Sequence, residues 1–178
     1  MRSAWLLAVV AIAAVGCAAR RAPPPATGHV RRGYALLHEL LGNEKDVSKL
    51  LLVKDVPKPV KQTIDAISDV AGKGKDRLEE LAGAPPPIDL DDTGLPADEQ
   101  RAREAIADLR KHRLLAATGR ALEVELLVSQ NEALVYAIGL TETLARSEPN
   151  AERLAFVRAL HEDVARLQRD VLGLLRPR

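Results

Sequence analysis

The chain has 178 residues, 47% of them hydrophobic and 29% charged, with a formal net charge of +1. That length suffices for one domain with a real core, and the near-neutral balance argues against nucleic acid, which selects a basic surplus gathered on one face. Aromatic residues make up only 2%, and the single tryptophan, Trp5, lies in an N-terminal apolar run, so the core must be built from Leu, Val, Ile and Ala. Ala and Leu head the helix-propensity order, and such side chains pack readily helix against helix. An all-α protein is expected.

The first element reads as a secretion signal. Arg2 supplies a positive start, "WLLAVVAIAAV" from Trp5 to Val15 an apolar stretch of 11 residues, and Gly16, Ala18 and Ala19 the small residues of a cleavage region. Eleven residues rise about 16 Å as a helix, short of the ~20 that a membrane span needs, so cleavage is expected and not retention. "AVGC" ends at Cys17, the only cysteine, and resembles the lipobox of bacterial lipoproteins. Ala14 stands where that family usually carries leucine. The resemblance implies removal of residues 1–16 and acylation of Cys17, which anchors the chain in a lipid bilayer. Ala18, in place of an aspartate, implies the outer membrane with the protein facing the periplasm. A lone cysteine fits this, because it has no intramolecular disulfide partner and a free thiol is a liability in an oxidising compartment. The alternative is ordinary cleavage after "CAA", which releases a soluble periplasmic protein.

Residues 17–33 then form the lipidated cysteine and a tether. "AARRAPPPATGHVRRG" holds three consecutive prolines, two glycines, four arginines and no acid, a composition that predicts a disordered segment. Arg20, Arg21, Arg31 and Arg32 would each gain about 1 kcal/mol beside anionic headgroups, and an ordinary solvated linker explains them equally. Without residues 1–16 the chain carries 25 basic residues, Arg2 being lost from the 26, against 25 acidic ones.

Residues 34–178 read as a helical bundle domain. "YALLHELLGNEKDVSKLLLVK", from Tyr34 to Lys54, carries leucines at helical spacing with a bend or cap at Gly42 and Asn43. Pro57 and Pro59 open a second helix in which Val60, Ile64, Ile67, Ala71, Leu78 and Leu81 share a stripe. Gly72 and Gly74 inside it cost about 1 kcal/mol each and mark either a close approach or a kink. "GAPPPIDLDDTGLP" at 83–96 is a loop, and Pro96 with Asp98 and Glu99 starts a third helix that runs to about Ala117. From Gly119 to about Ser147, the residues Leu122, Leu126, Ser129, Ala133, Ala137, Leu140 and Leu144 form one face. "SEPN" breaks the run. In the last helix Val157, Val164 and Val171 alternate with Leu160, Leu167 and Leu174 in a heptad. That seam serves an intramolecular bundle, with a homodimer through the last helix as the alternative.

The stretches "GNEKDVSKLLLVK", "RLEELAG", an "LP" turn and "TGRALEVELLVSQNEALVYAIGLTETLA" resemble ferritin-like helical bundles that bacteria export to the periplasm. The resemblance covers roughly residues 34 to 175. It implies an up-and-down bundle of four main helices plus an additional connecting helix. Those relatives tend to carry histidines in the second, third and last helices, where this chain reads "VAGKGKD", "SQNEAL" and "VARLQRD". The departure argues against a metal role. Carboxylate-bridged metal bundles also need glutamate with histidine three residues on, and no Glu-x-x-His occurs. His29 falls in the tether, while His38, His112 and His161 lie on separate segments and read as surface or boundary residues. Glu162 and Asp163 beside His161 point apart from it on a helix. No phosphate loop, nucleophile elbow or Cys/His pair is present, so neither an enzyme nor a cofactor is expected.

Ser129, Gln130, Asn131 and Glu132 interrupt an apolar helix, and four consecutive positions cover more than one turn, so one must face inward. A buried polar pair that sets helix register explains this; a small-ligand pocket between helices is the alternative. The function expected is that of a membrane-anchored envelope protein whose non-catalytic bundle binds another envelope protein or supports an assembly. The alternative is a periplasmic small-ligand-binding bundle.

Overall fold

A computed structural model describes residues 28–176. Five α-helices occupy them: α1 (Gly28–Glu44), α2 (Lys58–Ala82), α3 (Ala97–Ala116), α4 (Gly119–Ser147) and α5 (Ala151–Leu175), with a short 3₁₀ helix at Val47–Leu52 between α1 and α2. No strand occurs among the described residues. The expected all-α class therefore stands.

Helix α4 packs along α5, α2 along α5, and α1 against both α2 and α4, whereas α3 leans mainly on α4. Cross-contacts give the directions. His38 meets Glu79, Thr141 meets His161 and Asn131 meets Gln168, so α1 with α2, and α4 with α5, run antiparallel. The core lies where these four helices converge: Tyr34, Leu37 and Leu41 from α1, Ile64, Ile67 and Leu78 from α2, Leu126, Leu127 and Leu144 from α4, and Val157, Leu160, Val164, Leu167 and Val171 from α5. At about 25 cal/mol per Å² of apolar surface removed from water, such aliphatic burial is the main force for assembly.

Four sequence expectations need comment. The first helix begins at Gly28 and not Tyr34. Val30, assigned to the tether, is 1% exposed, and a Cβ on Gly33 would lie 2.9 Å from Leu144 Cδ2, so the glycine lets α1 close on α4. The expected disordered segment up to Thr27, with Cys17 and the cleavage region, lies outside the described residues. Second, Gly42 does not bend the first segment; the break comes at Lys45–Asp46, after α1. Third, α2 continues unbroken through Gly72 and Gly74, and the alternative realised at Gly74 is close approach: a Cβ there would sit 3.4 Å from Leu160 and 3.5 Å from Leu41.

The fourth concerns α4. Its inward face is Leu122, Leu126, Leu127, Gln130, Leu134, Ala137, Thr141 and Leu144, so Gln130, Leu134 and Thr141 replace Ser129, Ala133 and Leu140. The observed face is rotated from the predicted one, and two of the positions that turn inward, Gln130 and Thr141, are polar. On α5 the seam valines and leucines up to Val171 are buried in this chain's own core, as the intramolecular bundle requires. A homodimer through the last helix would need a different surface.

Candidate functional site

Two polar clusters interrupt the aliphatic core, one at the turn between α4 and α5 and one around the middle of α4. The first sits at the α4–α5 turn. Asn150 caps α5: its Oδ1 accepts from the backbone N–H of Glu152 and of Arg153, each at 3.0 Å. Its Nδ2 donates to the carbonyl of Pro85 at 2.9 Å, which ties the α2–α3 loop to the turn. Because Asn150 is an N-cap, the next turn of α5 carries Arg153 inward. The α5 seam runs Arg153, Val157, Leu160, Val164, and Arg153 occupies it while fully buried.

Arg153 Nη1 donates to the Ala84 carbonyl at 2.7 Å, and Nη2 lies 3.1 Å from Glu148 Oε1, with both side chains 0% exposed. Glu148 Oε1 also accepts from the Asn150 backbone at 2.7 Å. The buried Tyr34 hydroxyl beside this pair holds its proton far above the usual phenol range, first because burial disfavours the phenolate and then because Glu148 is negative. The two charges neutralise each other. The Tyr34 hydroxyl, Glu148 Oε2 and Arg153 Nε are buried without a hydrogen-bond partner, and the bonds that are made close three chain segments at one end of the bundle.

The second cluster contains the polar run of α4, and the structure separates its members. Ser129 Oγ donates to its own helix at the Leu126 carbonyl, 2.9 Å away. Gln130 is 4% exposed and faces Glu44 at the end of α1, whose carboxyl is pushed above its ordinary value by burial, against the opposing pull of the Gln130 amide and of Arg110. Asn131 Oδ1 accepts from Gln168 Nε2 of α5 at 3.1 Å. Glu132 pairs with Arg110 of α3. Glu44 Oε2 and Gln130 Oε1 have no hydrogen-bond partner. Gln130, Asn131 and Glu132 thus face α1, α5 and α3 in turn, while Ser129 bonds only its own helix.

An internal cavity of about 20 Å³ borders Glu44, lined otherwise by apolar residues including Leu41, Ile67, Leu134 and Val164. That is room for about one water molecule. A larger open groove of about 600 Å³ runs along the outer side of α4, from Asn131 past Tyr136 and Gly139 to Thr143. Arg103 of α3 lies over the Tyr136 ring, 5.4 Å from its centroid.

The histidines stay apart. His38 Nε2 lies 2.9 Å from Glu79 Oε1; Glu79, which Lys75 also pairs, is held down to about 2, chiefly by Lys75 and then by His38. His161 is half-buried, with Nδ1 3.0 Å from the Thr141 hydroxyl, and His112 is exposed on α3. Among the described residues no three of His, Cys, Asp and Glu converge as metal ligands would. No described helix is long and apolar enough to cross a membrane.

No protein-family model matches the sequence, and no curated protein sequence matches it. A solved structure is similar in fold. The crystal structure of a DUF305 fragment from Deinococcus radiodurans aligns with a TM-score of 0.67, over 85% of this chain and 98% of that one, at 18% identity. At that identity the likeness is one of helical fold. Sequence reasoning missed Glu44, Glu148 and Arg153. The signal for Arg153 was present: it lies four residues before Val157, on the seam itself.

Proposed function

We propose that this is a lipid-anchored envelope protein whose non-catalytic bundle serves protein interaction or structural support. The observation that carries the reading is "AVGC" at the end of an 11-residue apolar stretch, with the chain's only cysteine at the position that becomes acylated in bacterial lipoproteins. The same reading takes the domain as a ferritin-like bundle in which α1, α2, α4 and α5 are the four main helices and α3 is the additional connecting one. The way α3 leans on α4 alone in its main contact, with no side chain buried, supports that division. A carrier for a small ligand would need more internal space than one water occupies, and the groove on α4 is open to solvent.

The test is the intact mass and membrane partition of the protein made in a two-membrane bacterium, wild type beside Cys17→Ser. Acyl mass on a chain starting at Cys17, with the variant released or unprocessed, is the expected outcome. A bare chain starting near Arg20 in the soluble fraction would overturn the reading.

A further inference from the structure

We propose that the corner where the 3₁₀ helix meets the end of α3 is a membrane-contact site that takes anionic phospholipid headgroups. Leu52 and Val53 are 84% and 72% exposed, and Leu115 is 45% exposed. Leaving two such side chains in water at adjacent positions is costly. They belong to one corner because Lys54 Nζ donates to the carbonyls of Leu115 at 2.5 Å and Ala117 at 3.0 Å, which stitches the segment after the 3₁₀ helix to the last turn of α3. The flanking basic residues Lys49, Lys58, Lys111 and Arg113 are all exposed. The acids alongside are Asp46, which pairs with Lys49 at 2.8 Å, and Asp55.

Area and charge select the occupant. Three apolar side chains fall well short of the roughly 800 Å² per partner that a stable protein interface buries, and the open groove on α4 lies elsewhere. Shallow insertion of exposed aliphatic side chains, with lysine and arginine heads reaching anionic headgroups around them, needs neither a large area nor a matching surface.

The 17 residues of α1 span about 25 Å, which separates this corner from Gly28, where the chain from Cys17 enters. Residues 18–27 reach at most about 35 Å. Because that reach exceeds the length of α1, an anchor at Cys17 and this corner can touch one bilayer at the same time. The inference goes beyond the anchoring reading and does not require acylation, so it is tested on a chain that lacks it.

The chain starting at Ala18, prepared without acylation, keeps every core side chain found among the described residues, since these lie between Val30 and Val171. It is sedimented at low salt with phosphatidylcholine vesicles with and without phosphatidylglycerol. Binding to the mixed vesicles only is expected. It should fall about tenfold in Leu52→Ser/Val53→Ser and similarly in Lys58→Gln/Lys111→Gln; all four positions are exposed, and unchanged thermal midpoints will show that the variants fold. Equal binding to both vesicle types, binding to neither, or a loss caused only by Arg20→Gln/Arg21→Gln with the corner variants unaffected would overturn it.

Discussion

Arg153 shows how much one residue can carry at the end of a bundle. Its guanidinium is fully buried against Glu148 and the Ala84 carbonyl, so Arg153→Met leaves Glu148 charged, buried and unpaired. We expect a loss of about 3–5 kcal/mol, measured by denaturant unfolding. Arg153→Met/Glu148→Met should recover most of it, because two apolar side chains leave no orphaned charge. Glu44 gives the opposite kind of effect. Its folded value is raised by burial, so its contribution is fully present below the unfolded value near 4.5 and is lost as pH rises through the folded one. Glu44→Gln should therefore raise stability on the alkaline side and flatten the pH dependence there. Glu79 acts in the other direction, since its depressed value means a contribution present above about 4.5 and lost as pH falls toward about 2.

At the scale of helices, α3 differs from the rest. It buries no side chain fully and packs only Leu114 part-buried against the core, whereas most helical stability in proteins comes from tertiary packing of an apolar face. Polar contacts hold it: Arg110 to Glu132, Arg103 over Tyr136 and Lys54 to its last carbonyls. Its amides should exchange with solvent faster than those of α4 and α5, and Lys54→Met should speed exchange in the last turn while leaving α5 unchanged. In contrast, Leu160→Ala in the α5 seam should cost about 2–5 kcal/mol, because its neighbours Leu41 and Gly74 cannot collapse into the void. The α2 and α5 stripes were legible residue by residue, since nearly every inward position there is aliphatic. On α4 the stripe was displaced because Gln130 and Thr141 face inward, Gln130 beside Glu44 of α1 and Thr141 bonded both to the Ala137 carbonyl of its own helix and to His161 of α5.

For the molecule as a whole, the core side chains among the described residues lie between Val30 and Val171. A chain beginning at Gly28 should unfold in one cooperative transition with the same thermal midpoint as one beginning at Ala18. A lower midpoint for the shorter chain would place part of the folding unit before α1.

What this sequence determined by itself was the helical class, the loop at 83–96, the bounds of α4 and the inward faces of α2 and α5. Each follows from local propensity or from aliphatic residues repeating at helical spacing. Tertiary structure decided where α1 begins, because a glycine at position 33 is a linker signal until Leu144 packs against it. It also decided which polar residues turn inward. Arg153 sits on the α5 seam in the sequence, but its buried partners come from the turn before it and the α2–α3 loop; Glu44 looks like any surface charge, and only the burial that raises its pKa distinguishes it.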